Sequence, residues 1–238
     1  MTNLLHAKMF ICKFLTFWIM SKKNRKLARE FLFGFSFTDY VRFKNANYHI
    51  VSLGDSCLTK TLMVATGFKP RRFYGEKSCP FDLCCSRNFN RITELIENDF
   101  SDFFKNINLN NFPHDETLTL EQFQARYSKR IQNFLDIEQS SKKVYYIYSN
   151  YSSVPDTKDI TRLYEVLKDK RKGKPFELIL LTKKYIDIKN VIQIPYDIKI
   201  DDTRVNELII DKFKQYDNKF TRFREYMRKE LKKIILCV

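Results

Sequence analysis

Tyr48-His-Ile-Val-Ser-Leu-Gly-Asp-Ser-Cys57 is the stretch of the chain that decides its fold. Its first half is an apolar, β-favouring run, which predicts a buried strand. Gly54 then permits a tight turn that a larger residue makes less easily. Asp55 or Ser56 can accept the free amide hydrogens of a following helix. The stretch therefore predicts a strand, a turn and a helix, with Cys57 in the first helical turn.

Cys57 is the candidate nucleophile of this stretch. The partial positive charge at a helix N-terminus favours the thiolate, which is the reactive form of cysteine. Asp55 has the opposite effect, because a nearby carboxylate raises the pKa of a thiol unless it is used for capping. The alternative reading is that Cys57 is a small buried residue without chemistry.

The composition describes a folded and strongly basic chain. The 238 residues are 44% hydrophobic and 15% aromatic, enough for one sizeable core. Lys and Arg number 43 against 28 Asp and Glu, which gives a formal net charge of +15. Such a charge indicates an anionic partner, namely nucleic acid, acidic lipid or a phosphorylated substrate. A Lys-rich solvated surface without a partner is the alternative.

The six cysteines do not have the spacing of a disulfide framework, so we expect a reducing cytosol. Cys79, Cys84, Cys85 and His114 could together hold zinc. However, the chain lacks the paired C-x-x-C motif of a zinc knuckle. The sequence therefore predicts no metal and no cofactor.

Residues 1–46 are predicted to form an apolar and basic helical segment, separate from an α/β domain over residues 47–238. The run Met9–Met20 is apolar but shorter than the ~20 residues that span a bilayer. Basic residues follow this run instead of preceding it, so a secretory signal is not expected. A helix lying in an acidic membrane surface through residues 9–29 fits better, and packing on the protein's own core is the alternative. The expected location is the cytoplasm, with or without attachment to the inner face of the membrane.

The main body alternates between predicted helices and strands. Apolar residues that recur every three or four positions predict helices over 88–104, 118–137, 157–170 and 213–234. After the opening strand, apolar runs predict strands over 143–148, 174–182 and 190–195. A β-α-β order implies a parallel sheet covered by helices. We therefore expect a three-layer α/β sandwich with a largely parallel sheet and a long amphipathic C-terminal helix.

His114 is the candidate base for a Cys57 nucleophile. The chain has three histidines, and the other two lie in the N-terminal tail and at the first strand. A thiol nucleophile needs a base that takes its proton and a third group that orients the base. Asp82 is the preferred orienting carboxylate, because the side chain of Asp115 is expected to point away from its neighbour His114.

Five short motifs follow one another along the main body. They are Val51-Ser-Leu-Gly-Asp-Ser-Cys57, Ser78-Cys-Pro-Phe-Asp82, Glu97-Asn-Asp-Phe100, Phe112-Pro-His-Asp115 and Arg126-Tyr-Ser-Lys-Arg-Ile-Gln-Asn-Phe134. In this order they resemble the bacterial domain family labelled putative papain-like cysteine peptidase, over roughly residues 48 to 200. The resemblance implies a cysteine-nucleophile hydrolase with Cys57, His114 and Asp82 at its site. The chain differs from the family at Leu83, where the family usually has Trp, and its parallel sheet differs from the two-lobed papain architecture.

Other functions stay open beside this one. Gly54-Asp55-Ser56 resembles the first motif of the SGNH esterases, with Ser56 as nucleophile, but those enzymes need a late Asp-x-x-His and no histidine follows His114. The N-terminal segment resembles the openings of some bacterial surface-glycan transferases, which suggests a non-catalytic α/β module in membrane-associated glycan assembly. Nucleic-acid binding would rest on net charge alone and is not predicted.

Overall fold

The computed structural model describes residues 10–11, 13–22, 24–25, 28, 32, 37–54, 57–71, 74–84, 88–105, 107, 109–149, 155–183, 185–196 and 218–236. The chain forms two compact units. One consists of residues 1–46 and 70–75, and the other of residues 47–69 and 76–238. The domain boundary at residue 46 stays a prediction, and the short segment 70–75 belongs with the first unit.

The first unit contains helix α1, Phe37–Asn45. The ring of Phe43 on this helix lies 5.6 Å from the ring of Tyr74. This contact links α1 to segment 70–75 within the unit.

The second unit contains the sheet, five further helices and two short 3-10 turns among its described residues. In chain order they are β1 Tyr48–Ser52, α2 Leu58–Ala65, a 3-10 turn Pro80–Leu83, α3 Phe89–Glu97, a 3-10 turn Leu109–Asn111, α4 Leu120–Gln139, β2 Lys143–Ser149, α5 Thr157–Arg171, β3 Phe176–Thr182, β4 Val191–Pro195 and α6 Asn218–Ile235. The predicted start of the C-terminal helix, before residue 218, lies outside the described residues.

The four strands form one parallel sheet in the order β1-β2-β3-β4. The register pairs Val51 with Tyr146, Tyr146 with Leu178, and Leu178 with Val191. Because all strands run the same way, their carboxyl ends meet at one edge of the sheet. The predicted parallel sheet is therefore confirmed.

Helices cover both faces of the sheet, as the continuous apolar runs of its strands predict. On one face, residues such as Val51 and Tyr146 pack with α3, α4 and α5 in the larger core cluster. On the other face, residues such as Ile50 and Tyr145 pack with α2 and α6, the latter through Met227 and its neighbours. The fold is thus the expected three-layer α/β sandwich.

Local sequence signals set the helix ends. α4 begins with a capping box in which Thr119 and Gln122 bind each other's backbone amides. The side chain of Asp156 accepts the amide of Asp159 at the start of α5. α3 ends earlier than predicted, at Glu97 instead of residue 104, because Asp99 and Phe100 have positive φ values of 52° and 62°.

The turn after α3 explains why the sequence pattern extended too far. Phe100 is buried in the larger core cluster, and its ring lies 5.7 Å from that of Phe81 and 5.1 Å from that of Phe134. The apolar period continues past Glu97 because these rings are core residues, although the chain that carries them is no longer helical.

Arg171 holds the amino ends of the strands together. Its side chain is fully buried at the end of α5. It donates hydrogen bonds to the backbone carbonyls of Ile137 (3.0 Å), Glu138 (2.7 Å), Ser140 (3.0 Å), Lys142 (2.8 Å) and Pro175 (3.2 Å). One guanidinium therefore satisfies carbonyls at the end of α4 and at the starts of β2 and β3.

The connection from β3 to β4 spans residues 183–190 and has no helix among its described residues. Gln193 on β4 holds it in place. Its side-chain oxygen accepts the amide of Ile186 (2.9 Å), and its side-chain nitrogen donates to the carbonyl of Ile186.

Candidate functional site

Cys57 lies directly after β1, at the carboxyl edge of the sheet. The amide of Leu53 donates to the carbonyl of Ile147 (2.8 Å), so β1 stays beside β2 for one residue beyond its end. Cys57 is the N-cap residue of α2, one position before the expected first turn, and its carbonyl accepts the amide of Thr61 (3.1 Å). Its side chain is 7% exposed. Asp55 and Ser56 lie outside the described residues, so the capping and esterase hypotheses that name them stay predictions.

Hydroxyl groups fix the start of α2 over the sheet. The hydroxyl oxygen of Thr59 lies 2.6 Å from that of Ser149, and both residues are buried. Ser149 ends β2, so this contact joins the first turn of α2 to the neighbouring strand. Ligands of open parallel sheets lie outside the carboxyl ends of the strands, which is the edge that Cys57 occupies.

Asp82 lies in the Pro80–Leu83 turn and is completely buried, with 0% exposure. One carboxylate oxygen accepts the ammonium of Lys69 at 2.5 Å, and Lys69 is itself only 2% exposed. The other oxygen accepts the amide of Cys79 at 2.8 Å. Both oxygens of the predicted orienting carboxylate therefore already have a donor within the second unit.

Lys60 connects this turn to the helix that follows Cys57. It lies in the first turn of α2, and its ammonium is 3.0 Å from a carboxylate oxygen of Glu76 and 4.0 Å from one of Asp82. Its ammonium also donates to the hydroxyl of Ser78 (3.4 Å). The structure thus brings the strand-turn-cysteine motif and the Pro-Phe-Asp motif together through a buried cluster of two lysines and two carboxylates.

Lys69 in this cluster and the adjacent Cys79 thiol differ in their ionisation. Burial lowers the pKa of Lys69, but the charge of Asp82 and, more weakly, that of Glu76 outweigh this effect and hold the pKa above its usual value. Burial and then Asp82 raise the pKa of the Cys79 thiol to about 12. Lys69 is therefore a permanent cation, and Cys79 is a thiol that does not ionise near neutral pH.

His114 lies in the loop between the Leu109–Asn111 turn and α4, and its side chain is exposed. Within the described part of the chain, its imidazole makes no hydrogen bond, so none joins it to Asp82. The neighbouring Asp115 is buried and accepts hydrogen bonds from Arg126, from the Tyr127 hydroxyl (2.9 Å) and from Arg130 (3.3 Å).

The remaining cysteines and histidines take other places. Cys57, Cys79 and Cys84 carry buried thiols that form no disulfide with one another. His49 is partly buried at the start of β1, where its ring lies 3.1 Å from the Ser140 hydroxyl. Among the described residues, no group of three or more potential ligands is arranged to hold a metal ion. Predictions that involve His6, Cys12, Cys85 or Cys237 lie outside the described residues.

Lys60, Lys69 and Glu76 lie in the candidate site region although no sequence pattern predicted them there. No motif marks them, and their partners are up to 22 residues away along the chain, as for Lys60 and Asp82. The one available signal is the high density of charged residues in a segment that otherwise reads as core.

A family model described as a putative papain-like cysteine peptidase matches residues 48–237. The chain belongs to this family. The predicted family is therefore confirmed, and the matched region extends beyond the expected residue 200 to include α6. No curated protein and no solved structure matched the chain. The matched region covers most of the second unit and includes Cys57, Asp82 and His114.

Proposed function

We propose that the chain is a cysteine-nucleophile hydrolase in which Cys57 attacks the substrate, His114 acts as base and Asp82 supports the site. The observation that carries the proposal is the position of Cys57, at the start of α2 and at the carboxyl edge of a parallel sheet. A helix N-terminus stabilises negative charge on the sulfur. The family match is the second support.

The proposed reaction has two steps. The imidazole of His114 takes the thiol proton of Cys57, and the sulfur attacks the substrate carbonyl carbon to form a thioester. The imidazolium returns its proton to the leaving group as the carbonyl–leaving-group bond breaks. Water, deprotonated by the same imidazole, then hydrolyses the thioester, and the thiol is regenerated.

Asp82 enters the proposal as a residue that acts at a distance. Its oxygens bind Lys69 and the Cys79 amide, so its support passes through the Pro80–Leu83 turn and Lys60 to the first turn of α2. In this arrangement Asp82 makes no direct hydrogen bond to His114.

The test is alkylation of the native chain with iodoacetamide across pH, followed by peptide mapping of the modified cysteine. We expect Cys57 to react at pH values well below the ordinary thiol pKa of about 8.5. His114→Ala should remove this reactivity at low pH. Cys79 is an internal control, because its raised pKa and burial should keep it unmodified. If Cys57 reacts only after unfolding, the proposal fails. A fluorophosphonate that modified Ser56 would instead favour the esterase alternative.

We also propose that residues 9–29 attach the chain to an acidic membrane surface, on the cytoplasmic face. Large apolar side chains in this segment are exposed: Phe10 (72%), Ile11 (54%), Phe14 (66%), Leu15 (56%), Phe17 (66%), Trp18 (77%) and Met20 (93%). Large apolar side chains that are exposed together in one short segment are typical of an interaction site. None of the described helices has the length and hydropathy needed to cross a bilayer, so contact in the membrane plane is the geometry proposed.

Basic residues lie beside this apolar segment. The Arg25 guanidinium donates to the carbonyl of Ile19 (2.9 Å), which folds the basic stretch back onto the end of the apolar one. Exposed Lys13 and Lys22 flank the aromatic residues. Aromatic side chains in the acyl boundary with cations at the head-group level is the arrangement that binds acidic bilayers.

Trp18 is the only tryptophan of the chain, so its fluorescence tests this attachment directly. We expect its emission to shift to shorter wavelength with phosphatidylglycerol vesicles but not with phosphatidylcholine vesicles. Lys13→Glu with Lys22→Glu should weaken the shift, and Lys105→Glu in the second unit is the matched control. An unchanged emission with acidic vesicles, or a shift that depends on protein concentration alone, would reject the membrane as partner. If the membrane binds but Cys57 is inert, the second candidate function, a non-catalytic module in membrane-associated surface-glycan assembly, is favoured.

A further inference from the structure

The loop that carries His114 is fixed at both ends. On one side, Phe112 is buried, with its ring 4.9 Å from the ring of Phe123 and 4.9 Å from that of Tyr127. On the other side is buried Asp115, whose amide donates to the carbonyl of Phe112 (2.9 Å). Only Pro113 and His114 between them are exposed, and the proline ring restricts the backbone there further.

The Asp115 carboxylate is held by donors from a single helix, α4. Arg126 and Arg130 form ion pairs with it, and the Tyr127 hydroxyl donates at 2.9 Å. The Arg130 guanidinium also lies over the Tyr127 ring, 4.5 Å from its centre. Hydrogen bonds to a charged carboxylate are the stronger kind, so this set anchors the loop firmly to α4.

In these contacts Asp115 does not orient the His114 imidazole through a direct hydrogen bond. Its two oxygens face three donors on α4, and none of these is the His114 imidazole. Asp82 is engaged in the same way by Lys69 and the Cys79 amide. In this arrangement neither carboxylate orients the imidazole through a direct bond.

We infer that Asp115 is the positioning residue for His114, which it fixes by anchoring the loop to α4. The inference rests on the proposed function for its catalytic meaning, since His114 is the proposed base. The site then works as a cysteine–histidine pair in which the backbone, not a third side chain, holds the base in place.

The first test is the pH profile of Cys57 alkylation by iodoacetamide in Asp115→Asn. This variant keeps the size of the side chain but loses the charge that holds Arg126 and Arg130. We expect its low-pH rate to fall at least about tenfold, because a small misplacement of a base is costly, while the rate at high pH is unchanged. Glu116→Gln, which removes an exposed carboxylate next to the anchor, should keep the native profile. A native profile in Asp115→Asn would overturn the inference.

The second test is independent of Cys57 and uses the His114 ring ¹³C–¹H resonance, assigned by its loss in His114→Ala. We expect Asp115→Asn to move this resonance to the position of an unfolded chain, and Asp115→Glu, which keeps the charge, to restore part of the native shift. If Asp115→Asn does not fold, Arg126→Gln replaces it, since Arg126 is a partly exposed donor. A resonance that stays in its native position overturns the inference. A resonance that moves while His114→Ala leaves Cys57 alkylation unchanged would instead support the anchor and contradict the proposed base.

Discussion

Breaking the Lys69–Asp82 ion pair should destabilise the second unit strongly. The two charged atoms are 2.5 Å apart, and both side chains are almost completely buried. With an effective dielectric constant of about 20, their Coulomb attraction is about 6–7 kcal/mol. Desolvation of the two ions offsets much of this, so the net value of the pair is small compared with the cost of leaving one partner alone.

Each single substitution leaves a buried charge with a weaker partner. In Asp82→Asn, Lys69 retains Glu76 at 3.9 Å, and in Lys69→Met, Asp82 retains Lys60 at 4.0 Å. Removal of one partner of a buried pair costs about 3–5 kcal/mol, and because these contacts remain, we expect each variant to lose about 3 kcal/mol. The double variant leaves neither charge and should cost no more than one single variant, which corresponds to a coupling energy of about 3 kcal/mol.

The assay is urea unfolding monitored by far-UV circular dichroism. Tryptophan fluorescence would not report on the second unit, because the only tryptophan of the chain lies in the first unit. Arg162→Met, which removes the exposed pair with Glu97, is the control and should leave the midpoint unchanged. Single variants that each lose less than about 1 kcal/mol, or a double variant whose loss equals the sum of the two, would refute the reasoning.

Three further predictions concern His49, Cys79 and Arg171. Burial, and then nearby Lys142, lower the pKa of His49 to about 4. The contribution of the neutral ring to the free energy of unfolding is therefore fully present above about pH 6.5 and is lost as the pH falls towards 4. Because the ring is partly exposed, we expect the free energy of unfolding to fall by about 1–2 kcal/mol between about pH 6.5 and 4. The loss should be smaller in His49→Gln, and equal losses in the two proteins would count against this. Cys79 should resist alkylation at about pH 8 in the native state and react in urea, measured by peptide mass, and native labelling would contradict its raised pKa. Arg171→Lys loses the planar fork that binds carbonyls and should lower the melting temperature by at least about 6 °C, with Lys172→Arg as the control; a drop of under about 2 °C would disprove the role.

The strands of the second half could be predicted closely because buried parallel strands are continuous apolar runs between breakers. Lys143–Ser149 and Val191–Pro195 differ from the predictions by one residue each. The helix predicted to residue 104 was too long, because the pattern of aromatic residues carries no information on the left-handed backbone at Asp99 and Phe100. Periodicity thus identifies which residues are core, but not which backbone conformation carries them there.

The site shows where reasoning from motifs ends. The motifs pointed to Cys57, Asp82 and His114, but not to the groups that bind them. The Asp82 carboxylate binds Lys69, which lies 13 residues earlier in the chain. No periodic pattern in the sequence connects the two residues. The expectation that Asp115 turns away from His114 agrees with its contacts, yet its actual partners on α4 follow only from tertiary packing.

The short connection between β3 and β4 limits how the last strand can be seated. Thr182 pairs with Pro195 and Leu178 with Val191, so the chain must travel back about 13 Å along the sheet within residues 183–190. A shift of β4 by one position would turn the Gln193 side chain to the opposite face and detach it from Ile186. Gln193 therefore fixes the register of β4. Because α6 packs in the same core cluster as Ile194, its position on the sheet depends on that register as well.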